Sequence, residues 1–108
     1  MISDIPKYTV IKYLRDKNGN PRGCLVAVKL PEGRPGTESQ PISVHYSYCR
    51  KEDKFTKNMA LKIAINRAYM NTGSTFTEIP RQVRKEIDAF NRRVEKYFRV
   101  KPEQICTW

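Results

Sequence analysis

The amino-acid sequence predicts a single α+β domain in which a three-stranded antiparallel β-meander is followed by two α-helices. In the first half of the chain, β-branched and aromatic residues form runs that alternate with polar residues, as half-buried strands do. In the second half, apolar residues recur instead at the spacing of an amphipathic helix. A chain of 108 residues has the length of one domain, which we place over residues 1–108.

The three predicted strands cover residues 7–15, 22–30 and 42–49. Asn18-Gly19 between the first two is a strong hairpin signal, because both residues tolerate a positive φ. Residues 31–41 contain three prolines and two glycines, which is the composition of an exposed loop. Sequential strands with such connections pair antiparallel. Alternation gives the third strand an apolar face and a polar face, formed by Ile42, Val44, Tyr46 and Tyr48 and by Ser43, His45, Ser47 and Cys49.

The two predicted helices cover residues 53–70 and 80–98. The first has a wide apolar arc, which we expect to pack between the sheet and the second helix, and three alanines on its remaining face. The second has one narrow apolar stripe that should dock it. We expect one face of the sheet to be covered and residues 100–108 to form a short tail. The arc consists of Phe55, Met59, Leu61, Ile63, Ile65 and Tyr69, and the stripe of Val83, Ile87, Phe90, Val94, Tyr97 and Phe98.

The chain is strongly basic, with 21 lysines and arginines against 11 acidic residues and a formal net charge of +10. An excess of this size indicates nucleic acid as the partner, or less often an anionic membrane or an acidic protein. The plainer alternative is that the charge only keeps a small protein in solution. Disorder is excluded as a class, because apolar and aromatic residues are plentiful and patterned.

The three cysteines are odd in number and scattered, which argues against a disulfide framework. The first residues lack the apolar core of a signal peptide. No apolar run approaches the length of a membrane span. Together these features predict a reduced, soluble, cytosolic protein.

His45 and Cys49 share a strand face, and Cys24 could lie on the neighbouring strand, so the spacing allows a zinc site or a Cys–His nucleophile pair. No Cys-x-x-Cys or His-x-x-x-His pair supports zinc. No acidic partner or glycine-rich loop supports a nucleophile. We therefore expect a protein that is not an enzyme, with no catalytic residue, no metal and no cofactor.

An Arg-Gly turn into a strand, followed by Asp-x-Phe-x-Lys and then Ile-Ala-x-x-Arg-Ala, resembles a pattern in small uncharacterised proteins encoded by bacteriophages. The resemblance covers about residues 22–69 and includes no known active site. It implies a phage origin, an accessory or host-directed role, and the host cytoplasm as location. The matching residues are Arg22, Gly23, Asp53, Phe55, Lys57, Ile63, Ala64, Arg67 and Ala68.

The basic face of the second helix is the strongest candidate site, because cations on one side of a helix can follow phosphates and release their counterions. We expect help from Arg67 and from the loop over residues 31–41, which includes Arg34. The hairpin tip, with Lys17 and Arg22, could also touch phosphate. An ordinary solvated face is the alternative for the helix. The basic face consists of Arg81, Lys85, Arg92, Lys96 and Arg99.

These features favour a small non-enzymatic nucleic-acid-binding protein of phage type, with DNA preferred over RNA as the ligand. A second binding mode would lay a sheet that is backed on one side into the major groove. The competing hypothesis is a phage-encoded inhibitor that binds a host protein such as a polymerase or defence factor. No membrane partner is expected, and the sequence leaves the oligomeric state open.

Overall fold

A computed structural model describes residues 9–30, 39–49, 54–70 and 79–107. It confirms the α+β class, with three antiparallel strands followed by two helices. The ends of several predicted elements, at residues 7–8 and 53, lie outside the described residues. The elements in chain order are β1 (Thr9–Arg15), β2 (Pro21–Lys29), β3 (Ile42–Tyr48), α1 (Lys57–Met70), α2 (Arg81–Phe98), a 3₁₀ turn (Pro102–Gln104) and β4 (Ile105–Thr107).

The sheet has four strands in the order β1-β2-β3-β4, and its last pair is parallel. The tail predicted over residues 100–108 is therefore wrong in part, because Ile105 pairs with Ile42 and Thr107 with Val44. A strand of three residues is too short to show alternation in the sequence. Its position depends on pairing with a distant strand and not on any local pattern.

The two helices pack on opposite faces of the sheet, so the molecule has three layers. Helix α1 covers the face that carries Cys24, Val26 and Val28, and α2 covers the face that carries Leu25 and Ala27. The expectation that α1 lies between the sheet and α2, with one face of the sheet covered, is wrong. Strand β2 is apolar on both sides from residue 24 to residue 28, and both sides must be removed from water.

Helix α1 contacts the sheet through its alanines, and this also corrects the predicted arc. Met59 and Ile63 are 57% and 37% exposed, whereas Ala60, Ala64 and Ala68 are buried. Small side chains let the helix backbone come close to β3. Two buried serine hydroxyls of β3 find their hydrogen-bond acceptors on α1. Ser43 Oγ donates to the carbonyl of Ala68 and Ser47 Oγ donates to the carbonyl of Ala60, each at 2.7 Å.

Helix α2 docks through the predicted stripe. Val83, Phe90 and Val94 are buried, and Ile87 and Phe98 pack against them from the edge of the core. Tyr97, the remaining member of the stripe, is 52% exposed. The helix is followed by Arg99 in the left-handed conformation, with a φ of 55°, and its N–H bonds the carbonyl of Glu95.

Candidate nucleic-acid interface

An open groove of about 810 Å³ lies between the β1–β2 hairpin and the first turns of α2. The hairpin forms one wall, the start of the helix forms the other, and Tyr48 from the end of β3 also lines it. Its lining is rich in cations. We call this surface the basic groove, and its cations are Lys12, Arg15, Lys17, Arg22, Arg81 and Lys85.

The hairpin wall is held in shape by one carboxylate. Asp16 Oδ1 accepts the backbone N–H groups of Asn18 and Asn20 at 2.9 and 3.0 Å. Its Oδ2 lies 3.4 Å from Arg22 Nε. The N–H of Asn20, with those of Asn18 and the Arg22 guanidinium, lowers the pKa of Asp16 below its usual value. Asp16 therefore acts as an ionised brace for the turn and for Arg22.

A second arginine of the hairpin is also positioned by backbone. Arg15 Nη1 donates to the carbonyl of Gly19 at 2.8 Å. Gly19 itself has a φ of +85°, the conformation that the Asn-Gly signal predicts. The turn thus fixes where the Arg15 guanidinium lies at the mouth of the groove.

The helical wall presents two exposed cations, Arg81 and Lys85, one turn apart at the start of α2. Pro80, which precedes the helix, provides no side-chain hydrogen bond to the first turn. The helix dipole places a partial positive charge at this end of α2, which favours an anion. Side-chain charge and helix polarity act in the same direction here.

The basic groove carries a net positive charge after its own ion pairs are counted. The two acids that line it each face a cation already, since Glu86 lies 3.8 Å from Lys12 and Asp16 faces Arg22. Within the described residues, Lys17, Arg81 and Lys85 form no ion pair. These three side chains can neutralise an incoming phosphate without first breaking an internal contact.

Beyond the groove, the basic side of α2 continues as a ridge of exposed cations. Arg81 and Lys85 belong to both surfaces, while Arg92 and Lys96 lie further along on the same side of the helix. We call these four residues the basic ridge, which spans about 22 Å at about 1.5 Å per residue. Arg99 is exposed just beyond its end. Four of the predicted residues therefore lie along one side of α2, and the fifth follows its end.

The other two predicted residues are not shown to join this surface. Arg67 lies on α1, across the sheet, where its Nη1 donates to the carbonyl of Tyr46 at 3.1 Å. Arg34 and most of the loop over residues 31–41 lie outside the described residues. The second binding mode, with the sheet in the major groove, is excluded for the described sheet because both of its faces are covered by helices.

Sequence reasoning missed two cations that face the groove, Lys12 and Arg15. Both lie in β1, where a charged residue usually indicates only the solvent-exposed face of a strand. The signal that could have found them is their closeness to the Asn-Gly turn, which already carried Lys17 and Arg22. What no local pattern indicates is that the start of α2 comes to lie beside this turn.

The His45 and Cys24 side chains are both buried in the sheet. Cys24 is fully buried, and burial raises the pKa of its thiol to about 11. His45 is buried too, and its Nδ1 accepts the N–H of Tyr46 at 2.9 Å. All three cysteines are free. Among the described residues no group of three potential ligands could hold a metal ion.

Comparisons with known proteins leave the interface to be interpreted from its own chemistry. No family model matches the chain, and searches of curated proteins and of solved structures return no significant match. In the described part of the chain, no helix combines the length and apolar character that a membrane span requires.

Proposed function

We propose that this protein binds nucleic acid, with DNA preferred over RNA, through phosphate contacts made by the basic groove and the basic ridge. The observation that carries the proposal is the convergence of six cations from a hairpin and a helix start on one open groove. In this proposal the protein is an accessory binding factor and not an enzyme. Such a role agrees with the resemblance to small phage proteins.

Phosphate binding accounts for the features of both surfaces. Each cation that neutralises a phosphate releases a condensed counterion, and this release drives binding without reading the sequence. The groove is lined by cations from the hairpin and from the start of α2, whereas the ridge follows one side of the helix. At about 3.4 Å per nucleotide step, a ridge of about 22 Å parallels roughly six steps of one DNA strand.

Charge reversal in the groove tests the proposal. The experiment measures binding of a short fluorescent DNA duplex by anisotropy across a salt series, for the wild-type protein and for Arg81→Glu/Lys85→Glu. We expect the double variant to lose most of its affinity at low salt. The slope of log affinity against log salt should fall by about 1.8, which is about 0.9 for each lost contact.

A matched control carries the same change in net charge at another place. Lys29 and Lys54 are exposed and do not line the groove. Lys29→Glu/Lys54→Glu should keep most of the wild-type affinity and salt slope. Equal losses in both double variants would mean that only the total charge matters, and the groove would not be the site.

The inhibitor hypothesis is separated from this proposal by the wild-type protein alone. If neither DNA nor RNA is retained at low salt, phosphate binding is not the function. Recovery of a single host protein in a pull-down would then favour the inhibitor hypothesis. A basic surface would in that case act through steering of an acidic partner.

A further inference from the structure

Helix α1 turns a line of large apolar side chains towards solvent. Met59, Ile63 and Met70 are 57%, 37% and 67% exposed. Their spacings of four and seven residues place them on one side of the helix, opposite the buried Ala64. We call these three residues the outer stripe. It extends for about 16 Å at about 1.5 Å per residue.

The outer stripe is flanked by cations and by no acid of its own helix. Helix α1 carries Lys57, Lys62 and Arg67 and contains no aspartate or glutamate. Lys62 and Arg67 lie on either side of the stripe, and Arg67 Nη1 also donates to the carbonyl of Tyr46. Lys57 is turned towards the sheet instead, with its Nζ 5.2 Å from the centre of the Tyr13 ring. The face therefore combines an apolar centre with one cation on each side of it.

We infer that the outer stripe docks an acidic amphipathic helix of a partner protein, which places its apolar side on the methionines and its carboxylates on the flanking cations. Methionine side chains are flexible and polarisable, so they adapt to the shape of an apolar partner. A helix that lies along α1 would meet apolar residues at its own helical spacing. This inference concerns the face of the sheet opposite α2 and does not depend on the proposed nucleic-acid function.

Charge and width argue against the other occupants of this face. A second copy would bring the same acid-free cationic helix against α1, in a chain of net charge +10, so like charges would meet at the border. A membrane would receive only three apolar side chains, with the exposed amide of Asn66 between them. A membrane-bound helix needs a wider apolar face than this.

A synthetic helical peptide serves as the probe. It is glutamate-rich, carries leucines at helical spacing along one side, and is compared with a scrambled peptide of the same composition. We expect the wild-type protein to bind the amphipathic peptide about tenfold more tightly than the scrambled one. Met59→Ser/Met70→Ser should remove that preference while the melting temperature is retained, because both side chains are exposed.

The control variant is Tyr97→Ser, which removes an exposed apolar side chain from α2 instead. It should bind the peptide as the wild type does. Equal binding of the amphipathic and scrambled peptides would overturn the inference. So would methionine-dependent binding to anionic vesicles in place of the peptide, or methionine-dependent dimerisation in sedimentation experiments.

Discussion

At the scale of single residues, Gly23 marks the place where strand packing leaves no room for a side chain. A Cβ built there would collide with the backbone oxygen of Ser47 and lie 2.9 Å from Cα and 3.0 Å from Cδ1 of Tyr48. Tyr48 therefore lies directly against the glycine. This contact positions Tyr48, which also lines the basic groove.

We predict that Gly23→Ala destabilises the fold by about 1–3 kcal/mol, the usual cost of forcing atoms into a packed site. Chemical denaturation followed by circular dichroism measures the loss. The control is Gly19→Asn, since Gly19 has open space around it and asparagine tolerates its φ of +85°. A Gly23→Ala protein as stable as the Gly19→Asn protein would contradict the described pairing of β2 with β3.

Arg99 combines a strained backbone with a candidate phosphate contact. Its φ of 55° is costly for a residue with a side chain and natural for glycine. We predict that Arg99→Gly raises the free energy of unfolding by about 0.5–1 kcal/mol while it weakens binding to DNA. Arg99→Ala removes the same charge but keeps the strain, so it should weaken binding without the gain. Equal stability of the two variants would argue against the left-handed cap.

His45 makes stability depend on pH. Burial, with a smaller contribution from the charge of Arg67, lowers the pKa of His45 below its ordinary value of 6.5. Below about pH 6.5 the unfolded chain takes up a proton that the folded protein resists. Stability should therefore fall as the pH drops below 6.5 and level off once the pH passes the folded pKa.

The effect of His45 on stability can be measured separately, because the chain has a single histidine. The denaturation midpoint should be lower at about pH 5.5 than at about pH 7.5, with a slope of at most about 1.4 kcal/mol per pH unit for one proton. His45→Gln should lose this dependence between the two pH values, whatever its stability at the higher one. A wild-type midpoint that does not change would mean that His45 is protonated freely in the folded state.

At the scale of elements, α2 could be predicted from the sequence and α1 only in part. The stripe of α2 is narrow and its other sides are charged, so only one side can be buried. Helix α1 is apolar or small on both sides, with alanines opposite the outer stripe. Which side faces the sheet is decided by the close approach that alanines allow and by the serine hydroxyls of β3, neither of which is visible in the helix itself.

Phe90 is the large side chain that α2 buries most completely, with 1% of its surface exposed. We predict that Phe90→Ala costs about 3–5 kcal/mol, a large part of the stability of a domain this small. Phe55 is half-buried at the border of the other core, so Phe55→Ala should cost less. Thermal unfolding of the two variants provides the comparison. A larger loss for Phe55→Ala would mean that Phe55, in the segment before α1, carries more of the core than its burial indicates.

Of the candidate site, the basic ridge could be predicted from the sequence and the basic groove could not. Residues Arg81, Lys85, Arg92 and Lys96 are found from helical spacing alone, because spacing decides which side of a helix they share. The groove could not be found this way, since its two walls are far apart in the sequence. Arg93 shows the same limit, as its guanidinium donates to the carbonyl of Ile11 at 3.2 Å and covers the edge of β1.

At the scale of the whole molecule, the two candidate surfaces lie on opposite sides of the sheet. The basic groove and the basic ridge lie on the side of α2, and the outer stripe lies on the side of α1. A nucleic acid and a protein partner could then bind together without competing for the same residues. The two surfaces also differ in character, because the basic ridge consists of charged side chains while the outer stripe has an apolar centre.

We predict that Arg92 and Lys96, the part of the basic ridge that lies outside the groove, contribute to DNA binding independently of the groove. Arg92→Glu/Lys96→Glu should leave the fold intact, because both side chains are exposed. It should lower the salt slope by about 1.8, and combining it with Arg81→Glu/Lys85→Glu should lower the slope by about twice that amount. The same anisotropy series measures both. A combined variant no weaker than the groove variant would show that Arg92 and Lys96 are ordinary solvated surface.

Strand β4 protects the protein against aggregation, and proteolysis next to it would remove that protection. Through Ile105–Thr107 it covers the outer edge of β3, a strand that is buried along most of its length. A protease that cut within Pro102–Gln104 would detach β4 from the domain and expose a row of unpaired backbone donors and acceptors beside apolar side chains. The clipped chains would then pair edge to edge with one another, so a few missing residues would turn a folded protein into a seed for aggregation.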